Sequence, residues 1–350
     1  MPMRSVTNIA AVAALVGAVT LGVGASADAQ TKLKMQSAWN PNLPALGETA
    51  KYFADTVAAA SGGEVIFKFY GAKKLVPTLQ IFDAVSAGTI DAGFSWPRYW
   101  MGKMPALTLF AAVPFGPEAP EFLAWIYHGG GLDIWRELYA RQGVVPVPCG
   151  ILAPEASGWF ADPIDSTKDL EGLKIRFAGL GGEIMRKLGA SVTMLAAGDI
   201  FPNLERGVID ATEFSMPAID RVLGFYKIVK HYYFPGWHQP SSILELVVNK
   251  KQWDAMSERT RAYVEMACGN AVLWGLTKGI AAQPTAVQFF KDNGVQIHTW
   301  SPEMIAAFRK TAAEVIEEQS AKDADFRRAW DSLKAFREKN AEWRGMAYAR

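Results

Sequence analysis

The sequence carries an echo of itself. Residues 81–92 read Ile81-Phe82-Asp83-Ala84-Val85-Ser86-Ala87-Gly88-Thr89-Ile90-Asp91-Ala92. Residues 200–211, 119 positions later, read Ile200-Phe201-Pro202-Asn203-Leu204-Glu205-Arg206-Gly207-Val208-Ile209-Asp210-Ala211. Ile, Phe, Gly, Ile, Asp and Ala recur in register, and Leu204 matches Val85 in character. Each copy reads as a helix stopped by glycine, then a short strand carrying Ile-Asp-Ala. The stretch from Asp165-Ser166 to Phe177 repeats the same arrangement of helix, glycine and strand. A duplicated unit of this kind predicts two similar α/β lobes with a cleft between them.

The flanking pattern agrees. Leu33 to Gln36 is a strand, and Leu46 to Ala60 a helix ended by Ser61-Gly62-Gly63. Val65 to Tyr70 alternates as a strand, Leu79 to Ala87 is helical, and Thr89 to Phe94 is a short buried strand. This alternation calls for a sheet with parallel pairs. Ile243 to Asn249 reads as a strand crossing back to the first lobe. A helical stretch from Gln252 towards Phe290 is interrupted at Gly269, Gly275, Gly279 and Pro284, and Val295 to Trp300 is one more strand. Ser301-Pro302-Glu303 has the cap, first-turn proline and acid of a helix start. Beyond it, Phe326, Trp330, Leu333 and Phe336 form an apolar stripe that packs on its own domain or, alternatively, joins a dimer interface.

The N-terminus is of another kind. Arg4 precedes an apolar run from Ile9 to Val23, and Ala25-Ser26-Ala27 then offers a peptidase site, with Ala27-Asp28-Ala29 as the alternative. The run is short for a membrane span and no cysteine follows it. The expectation is a cleaved export signal over 1–27 and a mature periplasmic chain of about 320 residues. That leaves a two-domain length, at roughly 150 residues per domain. With 36 basic against 35 acidic residues, the chain has no electrostatic footprint for nucleic acid. Cys149 and Cys268 are the only cysteines and are expected to be two isolated buried thiols.

Enzyme signatures are absent: there is no phosphate loop, no His-Glu-x-x-His and no Gly-x-Ser-x-Gly. Gly179-Leu180-Gly181-Gly182 lacks the last glycine of a dinucleotide fingerprint and reads instead as a helix start with close backbone approach. His128, His231, His238 and His298 have no ligand spacing and read as surface or packing residues. Ligands of open α/β sheets gather beyond the carboxyl ends of strands. The first echoed strand runs into Phe94-Ser95-Trp96-Pro97-Arg98-Tyr99-Trp100 and the second into Glu213-Phe214-Ser215, so these segments should face each other. Arg176 lies in an apolar strand, Lys174-Ile175-Arg176-Phe177, where its permanent charge needs an anion, either a structural carboxylate or a ligand's. Glu155 stands at the lobe crossover, and with Glu213 would repel unless a cation or arginine sits between them.

Phe82-Asp83-Ala84-Val85-Ser86-Ala87-Gly88, Tyr99-Trp100-Met101-Gly102-Lys103, Ala112-Val113-Pro114-Phe115-Gly116 and Gly158-Trp159-Phe160 are similar to motifs of a known family. So are Asp169-Leu170-Glu171-Gly172-Leu173-Lys174-Ile175-Arg176, Ile209-Asp210-Ala211-Thr212-Glu213 and Tyr233-Phe234-Pro235-Gly236-Trp237-His238. Across nearly the whole mature chain the sequence resembles the extracytoplasmic solute-binding proteins of TRAP transporters, in the subgroup for 2-oxo and 2-hydroxy carboxylates. The resemblance implies an α/β fold of the two-lobed, type II-like periplasmic binding class, closing by hinge motion, with a long C-terminal helix and often a homodimer through it. It implies delivery of a small organic acid to TRAP membrane subunits, with Arg176 pairing the substrate carboxylate. It also implies a bridging Na⁺ or Ca²⁺ on the Glu155 and Glu213 side chains and the Phe214 carbonyl, an oxygen set suited to a hard cation.

The chain departs from that pattern at the cleft. Ile151-Leu152-Ala153-Pro154-Glu155 replaces the usual Asn-Thr-Gly-x-Gln, Phe214 replaces tryptophan, and Arg98-Tyr99 replaces a tyrosine pair. Either Glu155 adds charge to the metal site and favours Ca²⁺, or Glu155 and Arg98 neutralise each other without metal. Arg98 could also take a second carboxylate.

The expected layout is lobe 1 over 28–150 plus about 241–275, lobe 2 over 151–240 plus about 276–300, and a helical region over 301–350. The expected binding residues are Arg176, Glu155, Phe214, Arg98, Tyr99, Trp96 and Trp237, with no catalytic residue. An exported enzyme using Glu155 and Glu213 as an acid/base pair, or a ligand sensor, is the alternative.

Overall fold

The computed structural model describes residues 30–347, so the export signal lies outside the described residues. Eleven strands and twelve α-helices follow in chain order among those residues. β1 (Thr31–Ser37), α1 (Gly47–Ala60), β2 (Val65–Tyr70), α2 (Ile81–Ser86) and β3 (Ala92–Ser95) come first. α3 (Ala119–His128), α4 (Gly131–Ala140), β4 (Val144–Leu152) and β5 (Gly158–Phe160) lead to β6 (Lys174–Arg176), α5 (Gly179–Lys187) and β7 (Ser191–Thr193). Then come α6 (Ala197–Glu205), β8 (Ala211–Thr212), α7 (Pro217–Leu223), β9 (His231–Phe234), β10 (Ser242–Asn249), α8 (Lys250–Ala255) and α9 (Glu258–Asp292). β11 (Gln296–Thr299), α10 (Pro302–Lys322), α11 (Ala324–Lys339) and α12 (Ala341–Ala347) complete the chain.

The strands form two sheets, β2-β1-β3-β10-β4 and β11-β9-β5-β8-β6-β7. Reversing the second gives β7-β6-β8-β5-β9-β11, whose first five strands follow the plan of the first sheet, with β11 added at the edge. In both, a parallel pair continues into the echoed strand, β3 or β8, which then meets an antiparallel neighbour. The echo is thus a repeat of architecture. α2 and α6 occupy matching places, and Gly88 (φ 73°) and Gly207 (φ 68°) end them in the left-handed conformation that suits glycine.

α1 buries Ala50, Phe53, Ala54 and Val57, a helical stripe against the first sheet. β10 is buried along all eight residues between β3 and β4, as a central strand should be. β4 is an edge strand, which is why it tolerates Pro146 and Pro148, and α9 covers it.

Two expectations are corrected here. The helical stretch after Gln252 is not interrupted at its glycines or Pro284: α9 is one helix of 35 residues, about 52 Å long. Gly275 and Gly279 lie on its packed face. A Cβ at Gly275 would come within 2.7 Å of Thr49 Oγ1, so the glycine lets α1 approach. The cysteines are not isolated thiols: Cys149 on β4 and Cys268 on α9 form a disulfide. The stripe on α11 packs on its own chain, the first of its two readings, with Phe326 and Leu333 fully buried and the helix packed on α3, α4 and the 105–110 turn.

Glu245 is a buried acid in the middle of β10. It accepts from Trp100 Nε1 at 2.8 Å and meets Tyr139 Oη at 2.7 Å, and burial raises its pKa to about 8. An unfolded glutamate titrates near 4.3, so between these values the native state holds the extra proton and stability falls as pH rises. The loss reaches at most on the order of 5 kcal/mol above pH 8. Glu245→Gln keeps a neutral, isosteric group. Its melting temperature should fall less than wild type's between pH 6 and pH 9; equal slopes would refute the assignment.

Candidate functional site

Three connections join the sheets: residues 153–157 from β4 to β5, residues 235–241 from β9 to β10, and α8–α9 from β10 to β11; the first two are bonded to each other. Glu155 N–H donates to Gln239 O at 3.3 Å, and Gly236 N–H to Glu155 O at 3.0 Å. A Cβ on Gly236 would lie 2.2 Å from Glu155 O, so only glycine permits that approach. The crossovers therefore place Glu155, His238 and Gln239 at the junction of the two sheets.

The strand ends supply the rest. Arg176, the last residue of β6, is fully buried beside the end of β8. Its Nη1 donates to Glu213 Oε2 at 2.7 Å and to the Glu213 carbonyl, and its Nε to Leu195 O at 3.2 Å. Nη2, also buried, has no hydrogen-bond partner within the protein. Arg98 comes from the turn after β3, on the other sheet. Its Nη2 donates to Gln239 Oε1 and stands 3.7 Å from Glu213 Oε1. The two echoed strand ends do face each other, through this ion pair. Glu155 accepts from Ser215 Oγ at 2.8 Å and from Gln239 Nε2.

Burial and mutual charge set the protonation states. Burial, then the Glu213 charge, holds Glu155 well above the usual carboxylate range. Burial works against ionisation of Glu213 too, but Arg176, His238 and Arg98 outweigh it and hold its pKa below the ordinary value. His238 stands 3.3 Å from Glu213 Oε1 and is kept neutral mainly by burial. Burial lowers Arg98 to about 10, which leaves it charged at neutral pH. Glu155, Glu213 and His238 bring ligand atoms within 4.8 Å of one another. Two carboxylates are the oxygen donors a hard cation takes, but the oxygen left without a hydrogen bond, Glu213 Oε1, already has Arg98 Nη2 at 3.7 Å, so the set does not fit a metal ion as an arginine-free set would.

A narrow cavity opens beside Glu155, with only about 10 Å³ open to the centre of a water molecule. Trp39, Leu46, Trp96, Tyr99, Leu152, Phe214 and Leu244 form its apolar wall, with Glu155, Ser215 and Ser242 as the polar side. Arg176 lies behind Phe214, its guanidinium carbon 5.2 Å from the ring centroid. Two lining residues, Trp96 and Ser242, hold buried donors without a partner, Nε1 and Oγ, and Arg98 Nε and Arg176 Nη2 are unpartnered behind the wall, against Trp96 and Phe214. A concave apolar wall with converging donors suits a small anion.

Of the residues singled out from the sequence, Trp96, Tyr99, Glu155 and Phe214 line the cavity, while Arg98 and Arg176 lie against the Trp96 and Phe214 rings of its wall and pair with Glu213. Trp237 does not line it; it stacks on Phe308 and Phe115, with centroids 4.4 and 5.8 Å apart. Sequence reasoning missed Gln239, Ser215, Ser242, Trp39 and Leu244, and it read His238 as a packing residue. The partners of Gln239 are 84 and 141 positions away, so no spacing reveals them. His238 was visible only as part of the quoted Pro235-Gly236-Trp237-His238 run.

Comparison with known proteins adds the family. The family described as bacterial extracellular solute-binding protein, family 7, matches residues 35–323. The chain is 35% identical to the monocarboxylate 2-oxoacid-binding periplasmic protein of Nostoc sp., over 98% of this chain and 96% of that one. A TRAP transporter solute-binding protein of Bordetella bronchiseptica superposes with a TM-score of 0.88 at 33% identity, over 90% of this chain and 94% of that one. That protein is described as a mixed-occupancy dimer with copurified calcium and picolinate. A TRAP periplasmic solute-binding protein of Pseudoalteromonas atlantica, with bound sodium and pyruvate, gives 0.86 at 32% identity, over 90% and 96% of the chains.

Proposed function

Because the chain belongs to family 7 of the bacterial extracellular solute-binding proteins, we propose that it captures a small organic acid in the periplasm and hands it to TRAP membrane subunits. The ligand class is a 2-oxo or 2-hydroxy acid, or a related mono- or dicarboxylate. The observation that carries this reading is Arg176 itself: a buried guanidinium against the Phe214 ring of the cavity wall, two of its nitrogens committed to the protein and Nη2 left as a donor without a partner. A carboxylate accepting from Nη2 gains a charge-assisted bond away from water, where it is strongest. Glu213 fixes the guanidinium from behind, and Phe214 and Tyr99 wall off solvent. Where a Na⁺ or Ca²⁺ takes part, Glu155, Glu213 and the Phe214 carbonyl would hold it, and the ion would supply positive charge to the ligand's oxygens. Arg98 reaches Glu213 from the opposite sheet, so the same cluster that meets the ligand also joins the two lobes in the closed form. No covalent step is needed. The lobes are assigned to 28–150 plus about 241–275 and 151–240 plus about 276–300.

Export fits the Cys149–Cys268 disulfide, since such bridges persist in oxidising compartments. For the homodimer, α9 is the better face: Met266, Leu273 and Ile280 repeat every seventh residue and are 61%, 63% and 53% exposed. Native mass spectrometry of the exported, purified protein tests the reading. The expected species is a dimer that releases an unmodified organic acid on denaturation. Recovery of a chemically converted product, or of a ligand without a carboxylate, would overturn it.

A further inference from the structure

The cluster around Glu155 and Glu213 already contains a positive charge of its own. Arg98 is 3% exposed, and its Nη2 lies 3.7 Å from Glu213 Oε1. The same nitrogen donates to Gln239 Oε1, and Gln239 Nε2 donates to Glu155 Oε2. One guanidinium thus reaches both carboxylates that a bridging cation would use, directly at Glu213 and through a single amide at Glu155. The surroundings are shaped to keep it there. The Trp96 ring lies against it, centroid 3.8 Å from the guanidinium carbon, a favourable placement for a desolvated cation. Gly179 leaves room for it: with φ +59°, a Cβ there would stand 2.0 Å from Arg98 Cδ. With Arg176, two guanidinium groups stand among these two acids, so the cluster holds its own positive charge before any metal ion enters. A metal ion would have to share those carboxylates with a fixed charge of the same sign, which costs affinity.

We propose that Arg98 is the resident cation of this site, so that the cleft takes up small carboxylates without a metal ion. The inference rests on the organic-acid reading for its ligand and on Arg98 alone for its metal behaviour.

The test uses calorimetry on the full mature chain in sodium-free choline buffer, with Ca²⁺ alone and then pyruvate with and without EDTA. Wild type, Arg98→Gln and Arg98→Lys are compared. Wild type should show no Ca²⁺ binding tighter than about 1 mM, and its pyruvate affinity should change less than about threefold on chelation. Arg98→Gln should bind Ca²⁺ at least about tenfold more tightly than wild type, and its pyruvate affinity should rise about tenfold or more when Ca²⁺ is added. Arg98→Lys, which keeps the positive charge, should gain less Ca²⁺ affinity than Arg98→Gln. Micromolar Ca²⁺ binding by wild type, or loss of its pyruvate binding in EDTA, overturns the proposal whether or not the glutamine variant folds. A folded Arg98→Gln protein with no gain in Ca²⁺ affinity overturns it as well. If no acid of a carboxylate panel binds any of the proteins, the organic-acid reading fails, while the Ca²⁺ titrations still decide the role of Arg98.

Discussion

Arg176→Ala should lose binding of every small carboxylate by about 30- to 5,000-fold, the 2–5 kcal/mol typical of truncating one member of a buried hydrogen-bonded charge pair. The same change should destabilise the fold by about 3–5 kcal/mol, because Glu213 would be left charged and buried without its nearest partner. The two losses can be separated. Arg176→Gln combined with Glu213→Gln removes both charges, so most of the stability should return while binding does not. Calorimetric titration and urea unfolding on Arg176→Gln, Glu213→Gln and the double variant form a complete cycle. A folded Arg176→Ala protein that binds within about threefold of wild type would end the proposed role, since a charge-assisted hydrogen bond from a buried guanidinium contributes more than that.

Cys149→Ala with Cys268→Ala should cost about 4–5 kcal/mol of unfolding free energy, the chain-entropy value for opening a loop of this length. The bridge spans 119 positions and fixes α9 on the edge strand β4. It lies outside the cavity wall, so ligand affinity should change by no more than about twofold when the variant is folded. Urea unfolding of the oxidised wild type against the double variant measures the first quantity. A difference under about 1 kcal/mol would show that packing of α9 on β4 holds the helix without the bridge.

The parts of this architecture that are legible in the sequence are those with local signals. The echo at residues 81–92 and 200–211 foretells matching helix and strand pairs, because glycine stops and Ile-Asp-Ala strands depend on near neighbours. Arg176 stands out because a permanent charge in an apolar strand must have a partner. The disulfide does not show, since its two cysteines meet only after β4 and α9 pack, and spacing says nothing about that contact. Gln239 is hidden for the same reason, in a crossover whose partners come from both sheets. The glycines of α9 mislead: their propensity cost of about 1 kcal/mol each argues for breaks, but Gly275 lets α1 pack close and so offsets it.

α9 also sets how the molecule can move. It is fastened to β4 by a covalent bolt at Cys268, and it bears on the other half through α7. At Gly279 that bearing is smooth: a Cβ there would come within 3.1 Å of Met216 Cε and 3.5 Å of Ala45 Cβ. A beam fixed at one support and resting on a second cannot lengthen when the cleft opens. On the proposed function, opening would be a rotation of the second sheet about this helix, with Met216 against Gly279 as the point of contact. A ligand held in the cleft would then be read from outside as an angle between two faces, the same for different acids.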